Sequence, residues 1–181
     1  MQDMFTAGTD TSSTLLEWAM SELLRHPEAL KKLQEEVRRF TQGRASVNDH
    51  NLDKMGYLKA VIKETLRLHP PVPLPLFRES TQDVKINGYG IAARTQVITN
   101  GWAIQRDPSF WEDPNECRPE RFLNTAIDFR GQHFQLIPFG AGRGSCPGIQ
   151  FATSGAELVL AILSTHLIGH CLAEQKARSW T

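Results

Sequence analysis

Apolar residues recur every three to four positions over the first part of the chain, the period of a helix with one buried face. Leu15, Trp18, Ala19 and Leu23 share such a face and predict a helix from about Met4 to Arg25. His26-Pro27 ends it, because proline pushes the residue before it out of helical geometry yet fits the first turn of a new helix. Residues 27–40, PEALKKLQEEVRRF, predict a second helix with Leu30, Leu33 and Val37 inward and its charges outward. A polar linker runs from Thr41 to His50. A third helix is expected from about Lys54 to Leu68, stopped by His69-Pro70-Pro71.

Beyond these prolines the pattern changes. The run PVPLPLF is held extended by its prolines. Val84 and Ile86 alternate ahead of Asn87-Gly88, a strong hairpin signal, and TQVITNGWAI predicts a further strand. Residues 106–137 lack periodicity and are rich in Pro, Asp, Asn and Arg, which predicts an irregular, ordered meander. A glycine-dense loop, PFGAGRGSCPG, occupies 138–148, and a last long apolar helix is expected over 149–171. There is no internal repeat and no low-complexity tract. The fold class expected is mainly α with a small β-hairpin or sheet region.

Composition narrows the picture. A chain of 181 residues fits one domain. Twenty basic side chains against twenty acidic ones give no electrostatic footprint for nucleic acid. The three cysteines, Cys117, Cys146 and Cys171, are too few for a disulfide framework and show no zinc-ligand spacing, which favours a reducing environment. No run approaches the roughly 20 apolar residues that span a bilayer, and no signal peptide is visible. The chain is in helical rhythm from its first residues, without a cap or entry loop, so the expectation is a fragment or truncated product whose first helix starts before Met1.

Three groups carry candidate chemistry. Cys146 sits among glycines and Pro147 at the mouth of an apolar helix. Its ordinary reading is a free thiol in a tight turn. Free amides and a helix N-terminus also favour a thiolate there, and a thiolate in a small loop suits the axial position of a planar iron macrocycle. In AGTDTSS, Ala7, Gly8 and Thr11 share one helical face. That face either packs closely on a neighbour or opens a groove where Thr11 bonds a small molecule and Asp10 passes protons. Glu64 and Arg67, at i and i+3, are a surface pair or, on so apolar a helix, a buried one needing further compensation, for which Arg121 is available.

Taken in order, these residues resemble a known family. Ala7-Gly8-Thr9-Asp10-Thr11-Ser12, Glu64-x-x-Arg67, Pro119-Glu120-Arg121-Phe122 and Phe139-x-x-Gly142-x-x-x-Cys146-x-Gly148 follow the order found in the C-terminal part of cytochrome P450, the haem-thiolate monooxygenases. TLRLHPP, DPNECRPERF and PFGAGRGSCPGIQFA resemble its plant microsomal branch. The resemblance implies the C-terminal portion of that fold: an oxygen-binding helix (1–25), two further helices (27–68), an extended or β region (72–104), the meander, the cysteine haem loop and the final helix.

It also implies roles. Cys146 would be the proximal ligand of haem b, with Phe139 tempering its electron donation and Gly140, Gly142 and Gly148 letting the loop approach the porphyrin. Thr11 and Asp10 would assist dioxygen protonation, with Ala7 and Gly8 making room. Glu64, Arg67 and Arg121 would form a buried triad. Arg78 and Arg143 would meet haem propionates, and Val72, Leu74 and Leu76 would line an apolar substrate pocket. Electrons would come from a flavoprotein NADPH reductase, and O2 and a small apolar molecule of secondary metabolism would be the substrates. Full-length relatives would be anchored in the endoplasmic reticulum membrane, facing the cytosol.

Two departures bear on this reading. Gly144 stands where the family usually carries a basic residue, so one propionate contact is in question. After about Ile162 the last helix diverges; His166 and His170 there, at i and i+4, are read as solvent-facing rather than as a metal pair. With half a pocket, the isolated chain is expected to bind haem weakly or not at all. Two other readings compete with this one. A nucleotide site built on Gly140-x-Gly142-x-Gly144 lacks the remaining phosphate-loop residues and a βαβ unit. A truncated, non-catalytic interaction module or pseudo-enzyme, binding a partner through exposed core surface, is the alternative.

Overall fold

The computed structural model describes residues 2–41, 47, 49–75 and 77–166. Among the described residues six α-helices carry the fold: α1 (Gln2–Arg25), α2 (Pro27–Thr41), α3 (Asp49–Leu52), α4 (Gly56–Leu68), α5 (Gly101–Ile104) and α6 (Ile149–His166). Four short strands, β1 (Arg78–Glu79), β2 (Val84–Ile86), β3 (Tyr89–Ile91) and β4 (Gln96–Val97), form two antiparallel pairs, β1 with β4 and β2 with β3. The chain is thus mainly helical with small sheets.

The core is built around α4. Tyr57, Leu58, Val61, Ile62 and Leu66 are buried, and α1, α2 and α6 pack around them with Leu15, Ala19, Leu23, Leu30, Leu33, Val37, Ala156 and Leu160. Each large aliphatic side chain so buried contributes about 1.5–3 kcal/mol relative to exposure. The turn between α1 and α2 costs little hydrogen bonding. His26 donates its backbone N–H to Glu22 O (3.0 Å) and accepts from Leu30 N–H (3.1 Å), so the ladders nearly meet across Pro27. A smaller cluster of Ala60, Trp111, Phe122 and Leu136 fastens the meander to the side of α4.

Three expectations are corrected. Trp18 does not complete the apolar face of α1. It is 40% exposed and stacks flat on the His69 ring, centroids 3.9 Å apart and planes 3° apart. The third helix begins at Gly56 rather than Lys54, because its free N-terminal amides are claimed from outside: Glu36 on α2 accepts from Tyr57 N–H and Leu58 N–H, both at 2.9 Å. The strand expected over TQVITNGWAI is only two residues long. Asn100 caps a helix instead, its side chain accepting from Ala103 N–H at 3.0 Å, and Gly101–Ile104 is helical.

The hairpin β2–β3 pairs Val84 with Ile91 and closes through Asn87 and Gly88 at φ of 50° and 87°. Its strands are almost wholly exposed. Among the described residues no helix is long and apolar enough to cross a membrane.

Candidate functional site

The loop of residues 138–148 is shaped by its own backbone. Gly140 N–H bonds Ile137 O at 2.9 Å, Ser145 N–H bonds Gly142 O at 3.2 Å, and Cys146 N–H reaches back to Phe139 O at 2.9 Å. Gly140 and Gly142 turn the chain at φ of 74° and 70°, where other residues are strained. A side chain at Gly142 would meet nothing within 4 Å, so this face of the loop is open. The sulfur of Cys146 is exposed and accepts the Gly148 N–H at 3.3 Å, one turn before α6 begins.

Below the loop, the Phe139 ring meets Phe129 edge-on, centroids 5.5 Å apart, and both rings lie against the main core. Arg78 crosses from β1, which pairs it with Val97, and its Nη2 donates to Ala141 O at 3.4 Å. A Cβ at residue 144 would lie 2.6 Å from Arg78 Nη1, so Gly144 leaves the space the guanidinium occupies. Arg143 is exposed. An exposed sulfur braced by an amide, a loop without side chains on its open face and a guanidinium at its edge fit a flat, anionic, iron-centred macrocycle. The residues present therefore suit haem.

On α1, Thr11 Oγ donates to Ala7 O at 2.6 Å, which leaves its lone pairs free to accept. Gly8 has open space where a side chain would stand, and Asp10 is exposed. Val72 and Leu74 are 40% and 52% exposed. Leu76, His170 and the side chain of His166 lie outside the described residues.

Glu64, Arg67 and Arg121 come together in the interior. Arg67 pairs with Glu64 through Nε to Oε2 (2.8 Å) and Nη2 to Oε1 (2.9 Å), both side chains having no exposure at all. Arg121 Nε reaches the same carboxylate at 3.1 Å, and the Arg118 backbone N–H adds a bond of 2.8 Å. Arg67 Nη1 also donates to Gln105 O (2.9 Å) and Pro114 O (2.7 Å), and Nη2 to Glu116 O (3.2 Å). A buried ion pair is tolerable only with its remaining donors and acceptors satisfied, and here they are.

Gln105 is the residue the sequence does not announce. It is wholly buried; Nε2 donates to Leu66 O and Arg67 O, both at 3.2 Å, and Oε1 accepts from Ile137 N–H at 2.9 Å. It ties the end of α4 to the strand of chain that enters the cysteine loop. Nothing in its surroundings, WAIQRD, marks a buried amide. Burial, aided by nearby Arg67, also holds the Arg106 guanidinium below its usual range; that group bonds Leu68 O and lies over Trp102.

Comparison with known proteins is consistent with this geometry. Residues 1–167 match the family described as Cytochrome P450. The chain is 60% identical over 161 residues to norfluorocurarine oxidase of a Strychnos species, covering 89% of this chain and 31% of that protein. It is 56% identical over 161 residues to cytochrome P450 71A1 of Persea americana, covering 89% of this chain and 32% of that one. Against salviol synthase of Salvia pomifera it is 52% identical over 164 residues, with 91% and 33% covered. The chain spans about a third of the length of these curated relatives. By the match over residues 1–167 and the likeness to these plant proteins, this chain belongs to the cytochrome P450 family, in its plant branch.

Proposed function

We propose that this chain supplies the thiolate loop and the oxygen-side helix of a haem-dependent monooxygenase acting on a small apolar molecule. The observation that carries the reading is Cys146: exposed, on an open glycine loop, with the Gly148 N–H directed at its sulfur. When bound, haem b supplies reductive activation of O2, one oxygen atom entering the substrate and the other leaving as water.

The chain's residues have distinct tasks. Cys146 holds the iron side of the group, and the amide at its sulfur moderates the charge that sulfur donates. Phe139, which meets Phe129 edge-on and packs on the core, would temper the electron donation of Cys146. Arg78 and Arg143 offer guanidinium groups to carboxylates at the loop's edge. Thr11 Oγ can accept a proton-bearing partner while its own hydrogen is held on Ala7 O, and the exposed Asp10 can relay protons from solvent. Glu64, Arg67 and Arg121 are positioning residues, setting the meander against α4. Val72 and Leu74, both partly exposed, offer an apolar wall for substrate, and Leu76 would join them by the family's pattern. Two electrons would come from a flavoprotein NADPH reductase, and the location would be the cytosolic face of the endoplasmic reticulum, as for the family. The relatives' names, an oxidase and a synthase among them, support a place in plant secondary metabolism.

The exposed rings of Phe5, Phe134 and Phe151, at 70%, 71% and 78%, favour a second reading as a non-catalytic interaction module. One experiment separates the two. A version extended to the full length of its relatives, reduced under carbon monoxide, is expected to give the red-shifted Soret band of a thiolate-bound haem, and Cys146→Ala to abolish it. A band indifferent to that substitution would overturn the monooxygenase reading, and absence of any band would favour the module.

A further inference from the structure

The far end of α1 gathers a second set of ligating side chains that the haem reading leaves unused. Glu22 is 6% exposed, and its carboxylate is approached from three sides. His69 Nε2 lies 3.0 Å from Oε1, His26 Nδ1 lies 3.3 Å from Oε2, and the Cys117 sulfur of the meander lies within 4.8 Å of the same carboxylate. One ligand atom each from Glu22, His26 and Cys117 falls within 4.8 Å of the other two.

We propose that Glu22, His26 and Cys117 bind a divalent ion of the zinc class, clipping the end of α1 to the meander. The donor set selects the ion. Magnesium and calcium want several oxygens, whereas one thiolate sulfur, one imidazole nitrogen and one carboxylate oxygen suit zinc, with water as a fourth ligand. Charge also balances, since a carboxylate and a thiolate neutralise a doubly charged cation. Without an ion, burial and the nearby Glu64 and Glu22 carboxylates push the Cys117 thiol up to about 12. An ion therefore replaces the thiol proton and releases it to solvent.

The surroundings orient the ligands. His69 holds the second oxygen of Glu22 and is itself fixed by stacking on Trp18 at 3.9 Å, the outer support a ligating carboxylate normally has. His26 would give up its Nδ1 contact with Glu22 O at 2.9 Å, but that carbonyl keeps the His26 backbone N–H at 3.0 Å. His26 and Cys117 are each partly exposed, which gives an ion a way in. Arg25, 3.5 Å from the carboxylate and 68% exposed, is free to swing away.

Cobalt(II) is the probe, since thiolate ligation gives it a near-ultraviolet charge-transfer band. In the full chain carrying Cys146→Ala and Cys171→Ala, only Cys117 can produce that band. The expected result is a band saturating at about one equivalent and bleached by zinc. Adding His26→Asn should weaken it by at least about tenfold without moving the metal-free thermal midpoint. On the unsubstituted chain, zinc should slow alkylation of Cys117, read by peptide mass spectrometry. No saturable band, a band unchanged by His26→Asn, or alkylation of Cys117 indifferent to zinc would each overturn the site.

Discussion

Replacing Arg67 by leucine tests whether buried charge holds the scaffold of the cysteine loop. The guanidinium makes five hydrogen bonds, two to Glu64 and one each to the carbonyls of Gln105, Pro114 and Glu116. A leucine fills much of the volume but none of these partners. Glu64 keeps Arg121 at 3.1 Å and the Arg118 amide at 2.8 Å, so its charge is not abandoned. The Glu116 carbonyl keeps Arg121 Nη2 at 3.3 Å, whereas those of Gln105 and Pro114 lose a donor. Breaking a buried pair costs about 3–5 kcal/mol, and each orphaned carbonyl about 1–3 kcal/mol. With Glu64 still partnered, the sum belongs near 3–5 kcal/mol, a large share of the roughly 5–15 kcal/mol of a typical domain. Arg121→Leu removes a group already 11% exposed, whose carbonyl partners can turn to water, and should cost only about 1–3 kcal/mol. Urea denaturation of both variants, checked for an unchanged slope, gives the two numbers. A loss below about 1 kcal/mol for Arg67→Leu, or a larger loss for Arg121→Leu, would refute the assignment.

Two further outcomes follow from single residues. Gln105→Leu strips the buried partners of Leu66 O, Arg67 O and Ile137 N–H and should cost about 2–4 kcal/mol; hydrogen exchange of the Cys146 amide should quicken as the loop loosens, and an unchanged rate would separate Gln105 from the loop. Burial raises the Glu157 carboxyl above its usual range despite nearby Lys59, so the folded state holds that proton more tightly and loses stability as pH rises through the raised value. Glu157→Gln should therefore raise the denaturation midpoint at neutral pH, with the gain vanishing below the ordinary glutamate range; a gain that persists in acid would contradict the sign.

The sequence was informative where chemistry is local. The apolar spacing of α1, α2 and α6 and the proline stops depend on residues a few positions apart. So does the Asn87-Gly88 turn, which is why the hairpin was placed correctly. The start of α4 is not legible locally because its cap, Glu36, lies on another helix, nor is the place of Trp18, whose partner is His69 beyond the end of α4. Asn100 carries a local signal, an amide side chain ahead of Gly101 that caps a helix, but the apolar run around it has the pattern of a strand. Resemblance brought forward Glu64, Arg67 and Arg121. Gln105 and Glu22 match no motif, Cys117 lies in DPNECRPERF with nothing there to mark it as a ligand, and only folding shows what surrounds them.

The buried polar network and the cysteine loop form one mechanical unit. Arg67 donates to the backbone of Gln105, whose side chain in turn holds the amide of Ile137, and Phe139 follows two residues later with the carbonyl that receives the Cys146 amide. Each of these links is backbone on at least one side, and the two side chains, Arg67 and Gln105, are both wholly buried. The loop's other anchors are the edge-on contact of Phe139 with Phe129 and the first turn of α6, where Ala152 N–H bonds Gly148 O at 2.9 Å. If the proposed function holds, the Cys146 thiolate would have to be placed to within tenths of an ångström, and glycines supply no stiffness of their own. The stiffness has to come from α4, through a charged pair that would be a poor investment for stability alone. On this reasoning the wholly buried Arg67 matters to the sulfur of Cys146 because it fixes the chain that delivers it.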